Sequence, residues 1–197
     1  MSEEMKKDIP EEEIDIITLT DEDYLAYNSF HLLKSPYGKK MIRSCRILIT
    51  VLPLLVFGIM LGIAIGTNGF SITTAIGGGV IVALIILAQR SLEKSLVKSL
   101  KKQLDMMHKT GKPAYTPYSV LEFYADRLTE TTDTARVEQK YEAVERVSIL
   151  PDGTVYVHLN SVMAYIITAD ALGAAETREE FVAYLAQKCP QAAIERY

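Results

Sequence analysis

The sequence predicts an α-helical membrane hairpin joined to a small α+β domain, in which short antiparallel strands, arranged as a sheet or a barrel, are closed by a C-terminal helix. Three observations carry this prediction. Not one charged side chain occurs between Ile47 and Ala88. Basic residues crowd against both ends of that block, while the acids lie elsewhere. Beyond Pro117 the apolar period changes to two, and a helical stripe from Thr177 onward closes the chain.

The first element is a tail. Residues 1–24 hold ten acids against two bases, and residues 1–12 are polar enough to be expected as a mobile segment. They carry no basic region followed by an apolar stretch, so no cleavable signal peptide is expected. Residues 13–43 then read as a cytosolic strand and helix. Glu13 to Leu19 is β-branched and roughly alternating. Thr20 has the chemistry of a helix N-cap, with Asp21, Glu22 and Asp23 favourable in the first turn. Tyr24, Tyr27, Phe30, His31 and Leu32 recur at helical spacing, which makes His31 a packing residue rather than a ligand.

The hairpin occupies residues 44–89, with spans at 47–66 and 70–88. At a rise of about 1.5 Å per residue each span covers roughly 30 Å, the thickness of a bilayer's hydrocarbon core. Only Thr67-Asn68-Gly69 separates them, so the two helices are expected to be antiparallel neighbours. Lys39, Lys40, Arg43 and Arg46 precede the first span; Arg90, Lys94, Lys98, Lys101 and Lys102 follow the second; the turn has none. Basic residues near membrane ends stay cytoplasmic, which predicts a multi-pass protein of the cell membrane with both termini inside. Gly58, Gly62 and Gly66 repeat every four residues along the first span; Ser71, Ala75, Gly79 and Ala83 do so along the second. An antiparallel register sets Gly66 against Ser71, Gly62 against Ala75 and Gly58 against Gly79, a close-packed seam of the kind lipid-immersed helices use. The alternative use of the same glycines is a homo-oligomer contact. Pro53 removes one hydrogen bond from the first span and predicts a modest kink. Neither span holds an ionisable residue, so ion or proton transport by this chain alone is not expected.

Residues 90–112 form a basic juxtamembrane helix with Leu92, Leu96, Leu100 and Leu104 as its apolar stripe. It either continues the second span or lies along the lipid surface. Gly111, Pro113 and Pro117 end it. Residues 113–197 form the cytosolic β-rich domain. Its strand candidates are Tyr118–Tyr124, Leu128–Thr134, Arg136–Lys140, the stretch around Val144, Val147 and Ile149, Thr154–Leu159 and Met163–Thr168. Pro151-Asp152-Gly153 is a strong turn. Thr177 and Glu180 have capping-box spacing at the start of the last helix, whose buried face is Phe181, Tyr184, Leu185 and Cys189.

Several short segments resemble the YcxB-like family of bacterial membrane proteins. They are Leu19-Thr20-Asp21-Glu22-Asp23-Tyr24-Leu25, His31-Leu32-Leu33-Lys34-Ser35-Pro36, Leu121-Glu122-Phe123-Tyr124, Ala164-Tyr165-Ile166-Ile167 and Glu179-Glu180-Phe181. The chain differs at Thr168-Ala169 and Asp126-Arg127, where that family has Pro-Lys and Asp-Gly. The resemblance implies a two-span membrane protein with a cytosolic β-rich domain similar to a pleckstrin-homology fold, and it implies no particular activity.

For function, residues 113–197 carry thirteen acids against seven bases, which argues against nucleic acid as a partner. Cys45 and Cys189 are distant and show no CxxC spacing, the pattern of unrelated reduced thiols. His31, His108 and His158 have no partners at metal-ligand spacing, so neither a metal site nor a cofactor is expected. Gly77-Gly78-Gly79 lies inside a span without a following Lys-Ser or Lys-Thr and reads as packing, not a phosphate loop. No catalytic motif appears and no enzyme is expected. The leading expectation is a membrane-anchored binding or regulatory module that meets membrane lipid through its basic flanks and a partner protein through its β-domain, by strand addition. The alternatives are a non-catalytic subunit of a larger membrane complex or transporter, and a domain that senses anionic lipid.

Overall fold

The computed structural model describes residues 12–68, 71–111, 114–160 and 163–197. The acidic tail through residue 11, the Gly69 end of the expected turn and Pro113 of the linker lie outside the described residues. The described residues fall into two compact units: residues 28–106 make a helical unit, and those of 12–27 together with 107–197 make a β-rich unit.

Two long helices dominate the helical unit. α1 (Asp21–Lys34) leads to α2 (Pro36–Asn68), and α3 (Ile72–Lys109) follows. At 33 and 38 residues, α2 and α3 exceed the length of a bilayer span. Both are long and apolar enough to cross a membrane, and neither buries its most apolar stretch within the protein. The basic juxtamembrane segment is therefore a direct continuation of the second span within α3. Thr67 and Asn68 belong to α2 rather than to the turn. Ser71 caps α3, its Oγ accepting from the Thr74 amide at 3.3 Å.

The two helices run antiparallel, as the approaches of Arg46 to Glu93, Thr50 to Gln89 and Phe57 to Gly78 show, and they meet on a face other than the glycine ridge. A Cβ added at Gly58, Gly62, Gly66 or Gly79 would meet nothing within 4 Å, whereas one at Gly78 would come within 2.8 Å of the Phe57 ring. Within the apolar stretch the half-buried positions beyond Thr50 on α2 are Pro53, Phe57, Leu61 and Ala64; those ahead of Ala88 on α3 are Thr74, Gly77, Gly78, Ile81 and Ile85. Ala75 and Ala83 are exposed. The seam thus lies one residue round from the glycine ridge, about 100° of helix rotation. The cause is continuity. Outside the apolar block Leu32, Ile42 and Leu92 form a small core with Cys45, Ile49 and Leu96 packed on it. A continuous helix carries that face onward at four-residue intervals from Cys45 and Ile49 to Pro53 and Phe57. Gln89 donates to the Arg46 carbonyl and the Thr50 hydroxyl, both at 2.8 Å, and Arg46 pairs with Glu93 at 2.7 Å.

The β-rich unit contains two open four-stranded sheets rather than a closed barrel. The first has the order β1 (Glu12–Thr18), β2 (Tyr118–Phe123), β3 (Arg127–Thr131), β4 (Arg136–Lys140), all antiparallel. β1, read from the sequence as part of an N-terminal segment, completes this sheet by pairing Ile14 with Leu121 and Ile17 with Ser119. The second has the order β7 (Ala164–Ile167), β6 (Val155–His158), β5 (Arg146–Ile149), β8 (Ala193–Arg196). Its β5–β8 pair is parallel, an exception to the antiparallel expectation. The parallel crossover includes the short α4 (Ala169–Leu172) and α5 (Ala175–Lys188).

One core unites both sheets and α5: Leu121, Phe123, Val147, Val157, Ile167, Phe181 and Leu185 are among its buried members. Phe123 and Phe181 meet edge to face with centroids 5.2 Å apart. The expected turn at Pro151-Asp152-Gly153 forms, with Gly153 at φ +91° and the Thr154 amide donating to Asp152 Oδ1 at 2.9 Å. The expected capping box at Thr177 does not form. α5 starts two residues earlier, after Ala174, because Gly173 at φ +69° ends α4 and returns the chain to extended backbone. At α1 the device is present: the Asp23 amide donates to Thr20 Oγ1 at 3.2 Å, and the Thr20 amide to Asp23 Oδ2 at 2.9 Å.

Candidate functional site

Strand alternation places one residue where its chemistry is out of keeping. On β2 the inward face is Ser119, Leu121 and Phe123, all buried. Residues directly opposite in an antiparallel pair share a face, so Leu128, opposite Phe123, and Glu130, opposite Leu121, also point to the interior side. Glu130 is half-buried. Burial holds its carboxyl above the usual range, against a hydrogen bond with Ser119 that pulls it down. No basic side chain among the described residues contributes to that balance.

Glu130 lines a cleft of about 270 Å³ within the β-rich unit. One wall is the apolar side of β1 and β2, through Ile17 and Leu121; the other comes from β7, through Ala164, Tyr165 and Ile166. Tyr24 and Tyr27 of α1, with Tyr115 ahead of β2, complete the lining. Four tyrosines and one carboxylate therefore meet in one concavity. Burial and the Glu130 charge push the Tyr165 phenol up to about 12. Tyr24 and Tyr115 stack with centroids 5.2 Å apart, and the Tyr115 hydroxyl donates to Asp21 Oδ1 at 2.7 Å. Burial, that hydrogen bond, and then the charges of Asp21, Asp23 and Glu22 push Tyr115 to about 12.

A second polar cluster is sealed. His158 lies 3.2 Å from Ser148 Oγ, and one Arg146 nitrogen lies 3.4 Å from the same ring nitrogen. The arrangement follows from register, since Arg146 faces His158 and Ser148 faces Tyr156 on the neighbouring strand. Tyr27 packs edge-on to Tyr156 at 5.1 Å. Ser148 and His158 are both almost wholly buried. Substrate has no access to this serine, so the pair serves as an internal polar tie between β5 and β6 rather than as a nucleophile and its base.

The residues singled out from the sequence fall elsewhere. Lys39, Lys40, Arg43, Arg90, Lys94, Lys98, Lys101 and Lys102 are exposed on the outer turns of α2 and α3, beside Arg46. His108 approaches Asp21 at 3.2 Å, and His31 stacks near Tyr37. Cys189 is buried, which pushes its thiol up to about 11, and neither cysteine is in a disulfide. Among the described residues no three His, Cys, Asp or Glu side chains gather as metal ligands. Glu130 was overlooked by motif reading, although its signal is present: in Leu128-Thr129-Glu130 the glutamate has the parity of a core leucine. Compared with family models, with curated proteins and with solved structures, the chain matches none of them.

Proposed function

We propose that this chain is a membrane-anchored binding module, its β-rich unit held at the cytoplasmic face of the cell membrane by the α2–α3 hairpin. The observation that carries the binding role is the cleft containing Glu130. A half-buried carboxylate on the core face of a sheet, next to an open concavity, is a group kept for recognition rather than for folding. The edge strand β4 supports a ligand cleft over strand addition, because its Arg136, Glu138 and Lys140 place charges along the free edge. The membrane anchor is supported by large apolar side chains exposed along both helices, among them Leu48, Ile59, Ile63, Ile76 and Leu84. Exposed apolar surface on this scale marks a membrane or protein interaction site. The basic residues at both ends favour a cytoplasmic β-unit, and the likeness of several segments to the YcxB-like family agrees.

The test uses the full chain purified in mild detergent and a panel of small metabolites. Some members of the panel are expected to raise the Tm of the wild-type chain and not that of A164F, in which a phenyl ring fills the cleft. A panel in which no compound distinguishes the two proteins overturns the reading.

A second reading draws on the open glycine face. Gly58, Gly62 and Gly66 are exposed and free of the intramolecular seam. They offer α2 a surface for another helix, either a second copy or a subunit of a larger membrane complex.

A further inference from the structure

We infer that the cleft binds a small organic cation, an alkylammonium group, with Glu130 as its counter-charge and Tyr24, Tyr27, Tyr115 and Tyr165 around it. This rests on the reading of the β-rich unit as a binding module and names the class of ligand. A carboxylate taken partly out of water loses hydration that must be replaced by a hydrogen-bonded partner or an opposite charge. The Ser119 hydroxyl gives Glu130 one hydrogen bond, and no described basic residue gives it a charge. None of the lining residues is basic. An anion entering the cleft would meet Glu130 unscreened; a neutral ligand would leave the charge uncompensated; a cation resolves it.

The walls agree with this choice, since the faces of tyrosine rings attract cations, most strongly when the cation is desolvated. The rim agrees too. Asp21, Glu22 and Asp23 all act on Tyr115, so the approach to the cleft is negative. His108 meets Asp21 at that rim, and Arg146, whose charge reaches Tyr27, is 4.0 Å from Glu195. The volume of about 270 Å³ is just below the roughly 300–1,000 Å³ typical of sites for drug-sized ligands. It suits an amine or quaternary ammonium of a few carbons rather than a large metabolite. The same chemistry is carried by a free amine and by an ethanolamine or choline lipid headgroup.

The chain has eleven tyrosines and no tryptophan, and four of them line the cleft, so a ligand-dependent change in tyrosine fluorescence of the full-length protein in detergent that is absent from A164F reports on the cleft. Choline and ethylamine are titrated beside 3,3-dimethylbutan-1-ol, the uncharged counterpart of choline. The expected result is saturable binding of at least one cation, weaker by about tenfold or more for the neutral alcohol and for E130Q, as the loss of a charge-assisted contact requires. E130Q should keep or raise the Tm, which separates lost binding from lost folding. Equal binding of the neutral alcohol, or undiminished cation binding by E130Q, overturns the cation while leaving a ligand cleft in place. Silence from these probes, with metabolites that stabilise wild type over A164F, also overturns the cation alone. Silence from both experiments overturns cleft and cation together. Reconstitution into phosphatidylglycerol vesicles with and without phosphatidylcholine then identifies the source. Choline affinity reduced by phosphatidylcholine supports a cation borne by a headgroup; unchanged affinity supports a free one.

Discussion

Glu130 illustrates how a single side chain can work against the element that holds it. Burial raises its pKa above the ordinary 4.5, so the folded state binds the proton more tightly than the unfolded chain does. The stability linked to the neutral form is then fully present below the unfolded value and is lost as pH rises through the folded value. E130Q removes this dependence. Its Tm relative to wild type should be nearly unchanged at pH 4.5 and should become increasingly favourable towards pH 7; a difference that does not vary with pH would contradict the desolvation of Glu130. Thr20 works in the opposite sense. Its reciprocal bonds with Asp23 satisfy orphan amides at the start of α1, and T20A should cost about 1 kcal/mol in chemical denaturation. The N-cap at Thr20 was legible because a β-rich run ends there and acids follow at once. The box at Thr177 was misread because spacing alone does not reveal that Gly173 resets the backbone and lets the helix begin earlier.

At the level of elements, the antiparallel direction of the two long helices follows from composition, since an uncharged block with one short break leaves little choice; their lengths do not, because each helix runs on beyond the block into its basic flank. The face on which they meet does not. Small residues mark where helices can approach, but the phase of a continuous helix is shared along its length, and Ile42 and Leu92 outside the apolar block set it. The two glycine positions therefore separate experimentally. G78L drives a side chain into Phe57 and should loosen the hairpin, seen as a lower Tm in detergent. G62L points into open space and should leave the hairpin's Tm unchanged, affecting at most a higher-order species on native gels. Equal destabilisation by both would restore the glycine ridge as the seam. In the β-rich unit the local strands were readable from period-two alternation, while their partners were not. β1 reaches across roughly a hundred residues to β2, and β8 joins β5 in parallel at the end of the chain. Pairings of such separation leave no local signature.

Across the whole molecule, the division of labour is between a helical unit whose outer surface is apolar and a β-rich unit that encloses its own core. The first has a surface suited to lipid, and the second has a cleft in which charge and aromatic rings converge. The organisation into spans and a β-rich region was visible as a shift in apolar period and in the distribution of charge. The cleft was not, because it is assembled from α1, β1, β2, β3 and β7, which approach one another only in the folded chain.

The central claim is that lipid surrounds α2 and α3 while the β-rich unit stays in the cytoplasm, and cysteine accessibility in intact cells tests it most directly. In a C45S/C189A background, single cysteines are placed by S71C at the turn end of α3 and by E138C on β4, and a membrane-impermeant maleimide is applied. The account predicts that S71C is labelled in intact cells and that E138C is labelled only after permeabilisation. Labelling of E138C in intact cells, or recovery of the protein in the soluble fraction without detergent, would contradict it.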